Sequence, residues 1–221
     1  MNDARQRKTG SDIVAPPQLQ WLEGEVPKAA VFDDTYFSRA GGLAETRHVF
    51  LQGNGLPERW QDREDFMIAE FGFGTGLNFL TTLNALANAP RAPHLTFISF
   101  ELYPMDRDQL ERALSAFPEL SVKAKALLEQ WNPANGWSKL SFSGADLWLG
   151  IGDARQMIAD IGGKNTPAGP VDAWYLDGFS PAKNPELWEE GLLKSAFDIT
   201  SDGGTFATYT AAGWVRRNLA A

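Results

Sequence analysis

From Phe66 onward, short apolar runs alternate with helix-length segments, and this alternation constrains the fold more than any single residue does. Strands are expected at Phe66–Phe71, Leu95–Glu101, Val171–Leu176 and Gly204–Tyr209. Helices are expected at Thr75–Asn88, Asp106–Phe117, Glu119–Trp131 (entered through Pro118), Asp153–Ile161, Pro185–Phe197 and Ala211–Ala221. Leu140–Phe142 and Asp146–Ile151 read as a hairpin or as two successive strands. Strands and helices of these lengths in alternation give an α/β fold: a mostly parallel sheet with right-handed crossovers and helices on both faces. Ligands of such sheets bind at the carboxyl ends of the strands. Ahead of this region, residues 1–18 are polar, carry Pro16-Pro17 and are expected to be a disordered tail. Residues 19–64 form an N-terminal extension with an extended stretch over Leu19–Phe37 and a helix over Leu43–Leu51. Residues 65–221 form the α/β domain itself.

The strand ends carry the unusual residues. Glu70-Phe71-Gly72-Phe73-Gly74-Thr75-Gly76-Leu77-Asn78 joins the first of these strands to its helix. Its three alternating glycines allow a sharp turn and a close approach of backbone to ligand. The dinucleotide fingerprint would need a third glycine at position 77, which is Leu77, and no lysine follows as in a P-loop. Glu101 closes the next strand, where an acid can take both hydroxyls of a ribose; its bland alternative is a surface pair with Arg107. Asp153 and Gln156 have capping-box spacing at a helix start, and Asp153 also stands where an acid can accept from an adenine amino group. Asp177 ends an apolar strand and is followed by Gly178-Phe179-Ser180-Pro181-Ala182-Lys183-Asn184-Pro185. Asn184 as N-cap with Pro185 at the first helical position explains the end of that segment, but not the carboxylate at its start.

The bulk numbers remove other chemistries. The chain has no cysteine and two histidines, so thiolate sites are excluded and a metal site is not expected. No apolar run approaches a membrane span, and residues 1–15 lack a signal-peptide core, so a cytoplasmic protein is expected. The net charge of −8 argues weakly against a broad nucleic-acid footprint, though a local basic patch would suffice.

Acid-x-Gly-x-Gly-x-Gly after a strand resembles the cofactor turn of class I, Rossmann-like S-adenosylmethionine-dependent methyltransferases. That resemblance implies that Gly72, Phe73, Gly74, Thr75 and Gly76 cradle the cofactor, with Glu70 organising the turn and the cofactor's cationic end. It also implies that Glu101 holds the ribose and Asp153 the adenine. An acid followed by small residues and an aromatic, as in Asp177–Pro181, is similar to the substrate loop of amino-group methyltransferases. Longer runs are more specific: Phe32–Ser38, Gly42–Leu51, Gly53–Leu56, Gly72–Leu80, Phe97–Glu101, Val171–Pro185 and Gly203–Tyr209 resemble the MnmC methyltransferase family, in order and spacing. The resemblance implies S-adenosylmethionine as cofactor and tRNA as partner. The reaction it implies is N-methylation of the aminomethyl group of 5-aminomethyl-2-thiouridine at the wobble position. It carries Asp177 over as the catalytic group, Tyr36 and Asn78 to the cofactor, and Phe179, Pro181 and Lys183 to the substrate. Some relatives are fused to an FAD-dependent oxidase, which this sequence does not contain, so FAD chemistry is not expected of it.

The sequence departs from the family after Ala221, where a further strand pair and a basic segment are expected; phosphate contacts then fall to Arg39, Arg47, Lys183, Arg216 and Arg217. Two other readings stay open: a methyltransferase acting on a small-molecule or protein amine, and a non-catalytic cofactor-binding remnant.

Overall fold

The computed structural model describes residues 15–38 and 41–219. Most of the expected tail (residues 1–14) and Arg39 lie outside the described residues. Six strands form the main sheet: β4 (Asp65–Phe71), β5 (His94–Glu101), β6 (Gly136–Phe142), β7 (Ala145–Ile151), β8 (Val171–Leu176) and β9 (Thr200–Thr208). Their order is β6-β7-β5-β4-β8-β9, parallel except for the antiparallel β6–β7 hairpin. The open choice at residues 140–151 therefore resolves as a hairpin. β6 starts four residues earlier than expected because Gly136–Ser138 pair with the end of β7.

Two apolar cores lie on opposite faces, as the alternation of strand side chains requires. One holds Ile68, Phe97 and Tyr175 beneath α2 (Leu77–Ala87), α3 (Arg107–Leu114) and α4 (Ser121–Gln130). The other holds Phe71, Ile98 and Trp174 beneath α5 (Ala154–Met157), α6 (Glu190–Asp198) and α7 (Gly213–Leu219). α3 begins with a full capping box between Asp106 and Gln109, which fixes its start one residue from expectation. The helix expected over Pro185–Phe197 is interrupted. Pro185–Trp188 is a single 3₁₀ turn, Glu189 is extended, and α6 follows; the break lets the buried Trp188 ring donate Nε1–H to the Phe179 carbonyl at 3.0 Å.

The extension is built onto this body. β1 (Leu19–Leu22), β2 (Val26–Ala29) and β3 (Asp34–Thr35) form a small antiparallel sheet. The helix expected at Leu43–Leu51 is observed as α1 (Gly42–Thr46) widening into a π-helical stretch at Arg47–Leu51. Val26, Phe37, Leu43 and Phe50 belong to the same core as α2, and Phe50 stacks on Tyr175 of β8 at 5.2 Å. Asn54 Nδ2 donates to the Trp174 carbonyl, and the Arg59 guanidinium donates to the Asp172 and Gly203 carbonyls. These bonds tie residues 54–59 to β8 and β9. The Thr46 hydroxyl bond to Asn78 and the Asp34 carboxylate bond to the Ser180 N–H hold the earlier part of the extension across the carboxyl ends of β4 and β8, where it can wall a site.

Candidate functional site

A cleft of about 350 Å³ runs along the carboxyl edge of the sheet. Its floor is the glycine turn after β4. Gly72 and Gly178, from the turns after β4 and β8, pack back to back: a Cβ on Gly72 would sit 3.2 Å from Gly178 Cα, and one on Gly178 would sit 2.4 Å from Leu187 Cδ2. Both glycines have positive φ, 79° and 112°, so both contact and conformation exclude a larger residue. The two segments on which the sequence reading rests are thus neighbours opening onto one space.

Asp177 stands where the two turns meet. Its Oδ2 accepts from Asn78 Nδ2 at 2.6 Å, and the same nitrogen donates to Glu70 Oε1 at 2.7 Å. Burial pushes the Asp177 carboxyl up to about 6, against the pull of the Gly178 N–H and the Asn78 amide. The loop beyond is pinned on several sides. Tyr209 donates its hydroxyl to the Gly178 carbonyl at 2.8 Å, and Asp34 Oδ2 accepts from the Ser180 N–H at 3.0 Å. Phe179 stacks on Phe32 at 4.6 Å and meets Tyr36 edge-on at 5.0 Å, forming an aromatic wall.

Glu101, at the end of β5, does not pair with Arg107, whose guanidinium donates instead to the Leu128 carbonyl. Its Oε2 accepts from the Gly74 N–H and its Oε1 from the Tyr103 N–H, both at 2.8 Å. The carboxylate is therefore anchored by the glycine turn while facing the cleft. Burial raises its pKa, offset by the N–H groups of Gly74, Tyr103 and Leu102. Asp153 caps α5, accepting from the Arg155 N–H at 2.9 Å rather than forming the box with Gln156 that its spacing suggested. Asn184 makes no side-chain capping bond either, so the cap expected before Pro185 is absent and only the proline's position is kept.

Of the sequence-predicted residues, Tyr36, Gly72, Phe73, Gly74, Thr75, Asn78, Glu101, Asp153, Asp177 and Phe179 line this cleft. Four stand elsewhere. Glu70 is fully buried behind the glycine turn. Gly76 caps α2 against the Phe73 ring. Pro181 is buried under the loop, and Lys183 points away to the Asp33 carbonyl and Asp34. Residues the sequence reading passed over also line the cleft, among them Phe32, Glu45, Thr46, Leu102, Tyr103 and Tyr209. Leu102 and Tyr103 are large apolar side chains 44% and 40% exposed directly after Glu101, a signal readable only once the strand end is placed. The charge is one-sided: among the described residues, Asp34, Glu45, Glu101, Asp153, Asp177 and Glu186 line the cleft against one cation, Arg155. Such a lining suits a ligand carrying positive charge.

Residues 118–221 match the family model described as S-adenosyl-L-methionine-dependent methyltransferase. Across 92% of its length the chain is 46% identical to the bifunctional tRNA 5-methylaminomethyl-2-thiouridine biosynthesis protein MnmC of Aeromonas salmonicida, and 47% identical to that of Aeromonas hydrophila. It spans 32% of each of those proteins. The crystal structure of MnmC2 from Aquifex aeolicus superposes with a TM-score of 0.71 at 22% identity, covering 95% of this chain and 65% of that one. The fold is accordingly that of a class I methyltransferase.

Proposed function

We propose a function from one premise: the chain belongs to the MnmC methyltransferase family. It transfers the methyl group of S-adenosylmethionine to the exocyclic amine of 5-aminomethyl-2-thiouridine at a tRNA wobble position. The observation that carries this reading is the meeting of the glycine turn and the Asp177 carboxylate in one acid-lined cleft.

The cleft fits the cofactor on its own terms. Glu101 is preset by two backbone donors and has lone pairs left for a diol, the turn at Gly72–Thr75 offers bare backbone, and Asp153 stands at the far end. When bound, S-adenosylmethionine supplies an electrophilic methyl carbon on a cationic sulfur, a charge the six carboxylates favour. The residues of the chain act on the other partner. An amine attacks only through a free lone pair, so the incoming ammonium must lose a proton and present its nitrogen in line. Asp177, with a pKa near 6, is ionised at neutral pH and basic enough to accept an N–H hydrogen bond and take the proton released as the N–C bond forms. Glu45 and Tyr209 complete the wall around it, and the Phe32–Phe179 pair offers a flat face for a base.

tRNA is the partner this reading requires. Arg47, one residue beyond the cleft-lining Thr46, and Arg216 and Arg217 on α7 are exposed cations available to phosphates. Lys183, engaged with the β2–β3 loop, braces the substrate loop. Incubation with methyl-labelled S-adenosylmethionine and tRNA bearing the aminomethyl group is expected to place label in the tRNA. Label only in small amines would favour the broader amine methyltransferase, and binding without transfer would leave a cofactor-binding remnant.

A further inference from the structure

One buried acid takes no part in the cleft. Glu70 of β4 has no exposed surface, yet it is bonded on both oxygens: Oε1 accepts from Asn78 Nδ2 at 2.7 Å and Oε2 from Ser99 Oγ at 2.7 Å. The register of the sheet sets the second contact, since Glu70 of β4 stands opposite Ser99 of β5. Asn78 is equally committed. Its Oδ1 accepts from Thr46 Oγ1 at 2.8 Å, which fixes the amide orientation, so both N–H bonds are left to serve Glu70 and Asp177. One neutral amide thus bridges two carboxyl groups.

Two bare carboxylates cannot share one neutral donor at low dielectric without strong mutual repulsion, so the pair holds a proton. The other groups acting on it are Glu45 of α1, Glu101 of β5, Tyr175 of β8 and Tyr209 beyond β9, none of them a cation. Asp177 faces the cleft, whereas Glu70 is sealed and has Ser99 Oγ in place to receive an O–H. The proton therefore belongs on Glu70. Burial, with the charges of Asp177 and Glu101 adding to it, holds the Glu70 carboxyl well above the usual range.

We propose that Glu70 is a positioning residue for the Asp177 carboxylate, acting through the Asn78 amide, and that it makes no contact with bound cofactor. The proposal rests on Asp177 as the group that receives the amine, and it replaces the cofactor role expected of Glu70 from the sequence. Its test needs no tRNA. The Asp177 carboxyl is titrated by ¹³C NMR in the full chain, its resonance assigned with Asp177→Asn, and S-adenosylmethionine affinity is measured alongside by calorimetry. Glu70→Gln keeps an oxygen for Asn78 and can donate to Ser99, so the Asp177 midpoint and the affinity are expected to stay within about twofold in proton or ligand concentration. Asn78→Ala removes the donor and is expected to raise the midpoint by about one unit. Thr46→Val, which only frees the amide to rotate, shifts it less in the same direction and serves if Asn78→Ala does not fold. A tenfold loss of affinity in Glu70→Gln would put Glu70 at the cofactor and overturn the proposal. An Asp177 midpoint unmoved in both Asn78→Ala and Thr46→Val, or unmoved in Glu70→Ala, which takes from the amide the oxygen that holds it, would do the same. Failure of the wild type to methylate tRNA would sink the functional reading while leaving the Asp177 titration intact as a test.

Discussion

Asp177 follows β8 and Asp153 follows β7, with β5 and β4 between them, and both line the same cleft, yet their surroundings drive them in opposite directions. Asp177 meets only neutral donors, the Asn78 amide and the Gly178 N–H, and burial holds its carboxyl up at about 6. Asp153 is gripped by a cation. Arg155 Nε donates to Oδ1 at 2.9 Å and to Oδ2 at 3.1 Å, and this side-chain contact holds the carboxyl below its ordinary value. The same residue type is thus a group able to exchange a proton near neutrality at one end and a permanent charge at the other. The neighbours, rather than the strand-end position, divide the labour.

The sharpest way to break this contrast is to delete each carboxylate in turn. Asp177→Ala is expected to lower turnover about 10²-fold or more while S-adenosylmethionine affinity changes little, as for a lost acid–base or orienting group. Asp153→Ala is expected to do the reverse, raising the cofactor dissociation constant about tenfold, the scale of a hydrogen bond to a charged group. Calorimetric binding and single-turnover transfer on both variants separate the two; equal effects on both quantities would dissolve the division of labour.

pH should split them as well. On the role proposed for the Asp177 carboxylate, turnover is expected to fall about tenfold per unit as pH drops below about 6. The stability signs are opposite. Asp177 titrates higher in the fold than in the unfolded chain, so its stabilising contribution is present below about pH 4 and lost as pH rises through about 6. Asp177→Asn should therefore melt higher than the wild type above pH 6, by up to about 2 kcal/mol. Asp153 titrates lower in the fold, so its contribution is present above its unfolded value and lost as pH falls through the folded one. Asp153→Asn should lower the melting temperature at neutral pH and be neutral in acid, with less than about 1 kcal/mol at stake for so exposed a pair. Thermal melts across pH 3 to 8 check both signs.

How much of this was legible depends on whether the physics is local. Val171–Leu176 is apolar without interruption because β8 is buried on both faces, and its bounds were readable to the residue. The glycine turn after β4 and the acids at the ends of β5, β7 and β8 were readable because strand ends in an open sheet converge. What the sequence hid were relations across strands and helices. Nothing local says that Asn78, one residue into α2, reaches both Glu70 and Asp177, or that Arg155 would grip Asp153 in place of a capping box with Gln156. A partial signal existed. Glu70 and Ser99 are the polar residues in two otherwise apolar central segments, and strand alternation puts Glu70 on the face of Ile68, beneath α2. A buried acid and a buried hydroxyl in register ask for partners, and the partners make the site.

The finest test of the contrast lies in Arg155 itself. Its Nη2 also reaches Glu186 Oε2 at 3.2 Å, so the side chain spans from the start of α5 to the turn after the substrate loop. Its guanidinium lies along both oxygens of Asp153, so on the adenine role proposed for Asp153 an incoming amino group must share or displace that grip. Arg155→Ala removes the competitor and leaves Asp153 ionised at neutral pH, since only a stabiliser of an already acidic group is lost. Cofactor affinity is then expected to rise two- to threefold, about 0.5 kcal/mol, with stability changed by no more than that because the pair is solvent-screened. Unchanged affinity in isothermal titration would mean that the adenine end does not use the oxygens Arg155 covers, and Asp153 would revert to a helix cap with a salt bridge. Weaker binding would make Arg155 itself the contact.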